Sequence, residues 1–338
     1  MFELKNPFLV AGYHSPAYFC DREAESKKII SALSNDRNVS LISPRRMGKT
    51  GLIHHVFYQI RKQNKDIRCF YLDIFSTQNL HDFVTLLGKT VVGKLEHGDG
   101  LQEIFSYLQQ SGKRIYIAID EFQQITDYPE KSVEALLRSY MQFLPNVKFI
   151  FSGSKKHLMD AMFSAANRPF YQSTQKTGLK EIPLETYRKF AIDLFHTHQK
   201  ALDVAVFDYI YSEMSGHTWY IQFILNQLFA LEQTHYSIQD VINLMNDILE
   251  EENATFKTYC ELITKGQLLL LKAIADERKV SAPYNAHFMK KYSLTAPSSV
   301  RLALKSLLDK MLILKDEDAN YFVYDRFFSL WLKNNMSN

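Results

Sequence analysis

Gly48-Lys49-Thr50 closes the stretch Ser43-Pro44-Arg45-Arg46-Met47-Gly48-Lys49-Thr50, and these three residue types in a row can hold a phosphate chain. A glycine lets successive backbone N–H groups turn inward around phosphate oxygens. Lys49 would bring a mobile charge to the terminal phosphates, and the Thr50 hydroxyl can ligate Mg2+. The pattern for such a loop is Gly, four residues, then Gly-Lys-Ser/Thr. Here Ser43 stands at the opening glycine. About 70 residues downstream an apolar run, Ile115 to Ile119, leads into Asp120-Glu121. Two carboxylates at a strand tip supply what the loop lacks. Asp120 would hold the metal through water, and Glu121 would polarise an attacking water as general base. A third run, Val147 to Phe151, ends in Ser152-Gly153-Ser154, whose two hydroxyls could touch a γ-phosphate or that water.

These tips need a sheet to converge. Asn38–Ile42 reads as a short buried strand before the loop, and the helix from Gly51 would aim its positive end at an anion. Strands are predicted over Cys69–Ile74, the run into Asp120, Val147–Ser152 and Leu179–Ile182, with helices over Asp82–Leu95 and Ser132–Phe143. Alternating strand and helix predicts an α/β fold, a mainly parallel sheet covered on both faces. NTPases with a catalytic Glu insert a strand between the loop strand and the acidic one, and the strand ending at Ser152 is the candidate.

From Pro183 to about Asn253 only helical spacing is found, over Leu184–His196, Asp203–Met214, Thr218–Ala230 and Ile238–Glu250, with Ser237 and Asp240 placed to cap the last. Glu250-Glu251-Glu252-Asn253 reads as a solvated helix end or linker. The last part gives helices Gly266–Ala275, Ala286–Tyr292 and Ser298–Lys310, then strands Met311–Lys315 and Tyr321–Tyr324 around a turn at Asp316–Asn320. That order is a winged helix-turn-helix. Its third helix would show Ser298, Ser299, Arg301 and Lys305, with Lys290, Lys291 and Lys315 nearby, to DNA or to a protein. The expected domains are 1–182 (P-loop core), 183–255 (helical lid) and 256–338 (winged helix).

Composition narrows the class. The 338 residues suggest more than one domain, and the net charge of +3 does not by itself imply nucleic acid or membrane. Cys20, Cys69 and Cys260 are far apart and read as reduced thiols. Met1 to Asn6 shows no signal core, and no apolar run nears the roughly 18 residues of a membrane span. A cytoplasmic protein is expected, with its oligomeric state open.

With both motifs placed, nearly the whole chain resembles the archaeal-type ATPase family of P-loop proteins, relatives of the STAND and AAA+ origin-recognition ATPases. Tyr18-Phe19-Cys20-Asp21-Arg22-Glu23-Ala24-Glu25 is similar to the family's entry motif, which implies that Phe19 and Arg22 lie beside the adenine. Ser215-Gly216-His217-Thr218-Trp219-Tyr220-Ile221-Gln222 resembles the lid's Gly-His-Pro-aromatic segment, with Thr218 in place of the Pro. Tyr324 to Trp331 resembles the family's C-terminal end. The resemblance implies ATP or ADP on Pro44, Arg45, Arg46, Met47, Gly48, Lys49, Thr50 and Gly51, Mg2+ on Thr50 and Asp120, and catalysis by Lys49, Glu121, Ser152 and Ser154. Two departures matter. Phe170-Tyr171-Gln172-Ser173 stands where relatives often carry Tyr-Gly-Arg, and Arg188 is the lid's one arginine. Without the arginines that stabilise γ-phosphate charge, the expectation is a slow ATPase acting as a conformational switch. The alternatives are an ATP-modulated DNA-binding protein and a non-hydrolysing scaffold.

Overall fold

Apolar runs that end in polar tips pair into one five-stranded parallel sheet: β1 (Asn38–Ile42), β2 (Arg68–Asp73), β3 (Ile115–Asp120), β4 (Val147–Gly153) and β5 (Thr174–Gly178), in the order β2-β3-β4-β1-β5. The computed structural model describes residues 4–93, 100–316 and 318–335. Met1–Glu3, Leu95 at the expected end of a helix, and Glu317 in the expected hairpin turn lie outside them. Every residue of β3 and β4 is buried, as a strand covered on both faces requires. β4 does lie between the loop strand and the acidic strand: Leu41 pairs with Ser152, and Ala118 pairs with Ile150.

Side chains alternate between two apolar layers. On one face α1 (Glu23–Ser34) and α2 (Lys49–Gln63) pack Ile29, Leu33, Leu52, Ile53 and Val56 with Val39, Leu41, Ala118 and Ile150. On the other, α3 (Leu80–Val91), α4 (Leu101–Gln110), α5 (Val133–Met141) and α6 (Lys156–Ser164) cover Ile117, Ile119, Phe149 and Phe151. The rings of Phe122, Phe151, Phe163 and Phe170 meet here, with Phe122 and Phe151 centred 4.5 Å apart.

The last strand corrects the sequence reading. Leu179 and Ile182 are buried, but β5 is the polar stretch just before them, paired to β1 from Asn38–Thr174 to Ile42–Gly178. An edge strand with one paired side and a half-exposed face needs no apolar run, so periodicity points to the wrong segment. Helices α4 and α6 were not anticipated either.

The chain forms two compact units, Met1–Thr234 and His235–Asn338. The first holds the sheet and then α7 (Leu184–Thr197), β6 (Ala201–Leu202), α8 (Val204–Glu213) and α9 (Thr218–Ala230). Its N-terminal segment is strapped to these helices. Phe8 is fully buried against the rings of Phe195 and Phe229, and Asn6 and Asn226 exchange side-chain bonds with each other's stretch, Asn6 Nδ2 to Asn226 O at 2.8 Å and Asn226 Nδ2 to Phe8 O at 2.6 Å.

The second unit opens with β7 (His235–Tyr236) and α10 (Ile238–Glu251), which carries the expected Ser237–Asp240 capping box. The acidic run is the end of α10 and its junction with α11 (Asn253–Glu261). Then come α12 (Lys265–Glu277), α13 (Ala286–Lys291), α14 (Pro297–Asp309), the antiparallel hairpin β8 (Ile313–Lys315) and β9 (Tyr321–Val323), and α15 (Arg326–Asn334). This is a winged helix. The helix α15, read from sequence only as a resemblance, buries Phe327, Phe328, Trp331 and Leu332, and Phe328 stacks on Phe256 at 5.2 Å.

Phe122→Ala should empty the aromatic layer beneath β3 and β4 and destabilise the protein by about 3–5 kcal/mol. Chemical denaturation of the full chain measures this, and a loss under 1 kcal/mol would show that the layer does not hold the sheet.

Candidate functional site

The loop after β1 turns on two positive-φ residues, Arg46 (φ 65°) and Gly48 (φ 92°). Gly48 is the N-cap of α2, and a Cβ there would meet nothing within 4 Å, so the glycine serves conformation rather than space. The first amides of α2 have no partner inside the helix and carry its positive end. Lys49 is 6% exposed, and its Nζ donates to Ser43 O at 2.9 Å and Pro44 O at 3.0 Å. Burial pushes its pKa down, against the opposing pull of Asp120 and Glu121. Ser43 is buried, and its hydroxyl has no partner among the described residues.

Across β4, the tip of β3 meets this loop. Thr50 Oγ1 donates to Asp120 Oδ2 at 2.8 Å, and Tyr71 donates its hydroxyl to the same oxygen at 2.8 Å. Glu121 sits at φ 54°, and its Oε2 accepts from Gln123 Nε2 and, at 2.7 Å, from Ser154 Oγ. The chain passes there because residue 153 is glycine: a Cβ would lie 2.3 Å from Gln123 Oε1. The two predicted serines therefore part company. Ser154 holds Glu121, while Ser152 is fully buried beneath the surface of the site with its hydroxyl unpartnered among the described residues.

A cavity of about 450 Å³ runs from this tip to the lid helices. Its wall includes Phe19, Arg22, Arg45, Arg46, Met47, Gly48, Lys49, Thr50, Gly51, Asp120, Glu121 and Thr218, so nearly every residue picked from sequence meets there; Pro44, Ser152 and Ser154 do not line it. Phe19 stacks on His55, with centroids 4.4 Å apart. Arg22 is 4% exposed; its Nη1 bonds Glu25 Oε1 at 3.0 Å, while its Nη2 and the Thr218 hydroxyl are buried without partners among the described residues. Unmet donors and a helix N-terminus in one concave wall fit a phosphorylated ligand with a polar ring. The paired hydroxyl and carboxylate of Thr50 and Asp120 fit Mg2+, an oxygen-seeking ion that takes few protein ligands beside phosphates.

Sequence reasoning missed several wall residues. Asp73 stands level with Asp120 in register, and burial raises its pKa. Its place at the end of a predicted strand was a usable signal. Tyr187, which bonds Gln222 Oε1 at 2.8 Å, gave none. The lid reaches the loop through Trp219. Its backbone N–H donates to Arg46 O at 3.2 Å, its indole donates to Val10 O at 2.9 Å, and the Arg46 guanidinium lies 4.1 Å from its ring centre. Two arginines outside the loop are engaged with carboxylates: Arg168 with Glu134, and Arg188 with Asp208 at 2.7 Å and Glu185 at 2.7 Å.

A Gly-Lys-Thr loop at the tip of one strand, with an acidic pair two strands away across an inserted β4, is the arrangement of a P-loop domain, and a winged helix follows it. Residues 35–169 match the AAA domain family, and residues 254–334 match the family described as "Probable winged helix domain". A curated relative, an uncharacterized ATP-binding protein of Methanocaldococcus jannaschii, is 23% identical over 71% of this chain and 76% of its own. Among solved structures, a Walker-type ATPase of Pyrococcus abyssi has TM-score 0.74 and 16% identity over 97% of this chain and 99% of its own. The Aeropyrum pernix ORC2 protein, solved in ADPNP-ADP complexes, has TM-score 0.63 and 14% identity over 99% of both chains. The ORC1 protein of the same organism, solved in complex with DNA, has TM-score 0.60 and 12% identity over 98% of this chain and 97% of its own. No helix among the described residues is long and apolar enough to cross a membrane.

The Arg46–Trp219 contact should be measurable. In a double-mutant cycle, Arg46→Ala and Trp219→Ala should show about 0.5–2 kcal/mol of coupling in unfolding free energy. Strict additivity would mean that the Arg46 guanidinium and the Trp219 ring do not interact in solution.

Proposed function

We propose that the chain binds ATP and hydrolyses it slowly with Mg2+, as a nucleotide-driven conformational switch. The observation that carries this reading is the bond from Thr50 to Asp120 at the mouth of the 450 Å³ cavity, with Lys49 and Glu121 beside it. The phosphates would lie on the amides from Met47 to Gly51, with Lys49 exchanging its two carbonyl partners for phosphate oxygens. Bound Mg2+, held by Thr50 and through water by Asp120, would neutralise developing phosphate charge. Ser154 and Gln123 fix Glu121 through one oxygen and leave its other to take a proton from the attacking water. Phe19, Arg22 and Thr218 would take the base. Slow turnover follows from the engagement of Arg168 and Arg188 with carboxylates, since an arginine at the γ-phosphate is worth about 10³ to 10⁵ in rate. The Arg46–Trp219 contact gives the lid a direct line to the loop.

A second reading, DNA binding modulated by ATP, is favoured by one observation. Ser298, Ser299, Arg301 and Lys305 are all exposed on α14, the helix that enters the major groove in DNA-binding winged helices. The ORC1 protein of similar fold was solved on DNA.

Lys49→Ala should abolish ATP binding in calorimetry. Glu121→Gln should bind ATP as the parent does and hydrolyse it about 10² to 10⁴ times more slowly. Equal hydrolysis by Glu121→Gln would remove the base assignment, and retained ADP with no phosphate release by the parent would favour the scaffold. Duplex DNA affinity should fall with salt at about 0.9 log units per log unit of salt for each phosphate neutralised. No binding at low salt, with or without ATP, would dismiss the DNA reading.

A further inference from the structure

We infer that Tyr71 is the positioning residue for the magnesium carboxylate Asp120, a role that rests on the Mg2+-ATPase reading above. Asp120 is 4% exposed and accepts three bonds. Its Oδ2 takes the hydroxyls of Thr50 and Tyr71, each at 2.8 Å, and its Oδ1 takes the Glu121 N–H at 3.1 Å. Thr50 is itself a metal ligand in this reading, so its hydroxyl must serve two masters. Glu121 N–H comes from the next residue and fixes little about the carboxylate's rotation. Tyr71 is the one donor of the three that comes from a different strand and does not itself line the nucleotide cavity.

The sheet builds this reach deliberately. Tyr71 pairs in register with Ala118, two residues before Asp120 and on the same face of β3. Ala118 carries only a methyl, which leaves the tyrosine room to extend towards the strand tip. The ring is held from above by His54, with centroids 4.6 Å apart. His54 lies one helical turn after Thr50 on α2, so the same helix face that presents the metal hydroxyl also clamps the tyrosine that orients the metal carboxylate. With both hydroxyls on Oδ2 and the Glu121 N–H on Oδ1, the rotation of the carboxylate is set before any ion binds. Partners of this kind around metal-binding groups set ligand orientation, and their loss typically lowers metal affinity by about 10- to 100-fold.

Tyr71→Phe removes the hydroxyl and keeps the ring on His54. Fluorescently labelled ADP would be titrated onto the full chain in EDTA and over a range of Mg2+. The parent should bind ADP more tightly as Mg2+ rises. In Tyr71→Phe the Mg2+ midpoint should rise about 10- to 100-fold, while ADP affinity in EDTA stays within about twofold of the parent and the thermal midpoint confirms a folded chain. An unchanged Mg2+ midpoint overturns the assignment. So does an equal loss of ADP affinity with and without Mg2+, which is the mark of a packing role. Tyr71→Leu, which also removes the ring, should shift the Mg2+ midpoint no less than Tyr71→Phe; a midpoint like the parent's overturns the assignment. A parent that binds no ADP, or binds it without regard to Mg2+, brings down the ATPase reading itself and Tyr71 with it.

Discussion

The hydrogen bond from Thr50 to Asp120 joins the first turn of α2 to the tip of β3, and the rest of the first unit is arranged to let it form. Neighbouring strands lie about 4.8 Å apart, so strands two places apart are separated by nearly 10 Å. Placing β4 between β1 and β3 therefore opens a gap about as wide as a phosphate with its metal. The loop after β1 must then climb back over β4 to bring Thr50 within reach, which is what the positive-φ turns at Arg46 and Gly48 accomplish.

Local rules decide which parts of this could be read in advance. Gly48-Lys49-Thr50 and Asp120-Glu121 are legible because their chemistry sits at the ends of buried apolar runs, and a fully buried strand announces itself by composition. The lid and winged-helix helices are legible by spacing, as the start of α9 at Thr218 and the Ser237 cap illustrate. What escapes is whatever depends on a neighbour. The polar edge strand β5 exists because β1 has an unpaired side, not because of its own pattern. Tyr71 and Tyr187 look like ordinary strand and helix residues until the fold brings Asp120 and Gln222 to their hydroxyls. Ser152 shows the reverse case: the spacing that suggested a sensing hydroxyl holds, but alternation along β4 turns its side chain into the layer under α2 rather than into the cavity.

Charge in the cavity is held in tension. Three carboxylates, Asp73, Asp120 and Glu121, share the wall with Lys49, Arg45 and Arg46. Lys49 is desolvated and satisfied only by the neutral carbonyls of Ser43 and Pro44, which are weaker acceptors than charged oxygens. A phosphate chain would offer it a better partner at little further cost, because the ammonium has already left water. Ser43 fits the same picture. Its carbonyl is a resting partner for Lys49, a task that a glycine would perform equally, and the departure from the usual loop adds a buried hydroxyl without a partner among the described residues.

The arginines decide what such a site is good for. Arg168 and Arg188 are each anchored to carboxylates on the scaffold, and Arg46, which the loop itself supplies, lies on the lid's Trp219 instead of on the catalytic tip. An arginine facing the transferred phosphate would lower the barrier to hydrolysis; on the proposed reading, one stacked on Trp219 would instead transmit whether the loop is occupied. Trp219 is also tied by its indole to Val10, in the N-terminal strap that buries Phe8 against α7 and α9. A shift of the loop at Arg46 is thus felt by the lid helix and the strap together. On the proposed reading, that division of labour favours a long-lived bound state whose position can be sensed over rapid turnover, and it makes the loop–lid contact, rather than the chemistry at Glu121, the part that sets the output.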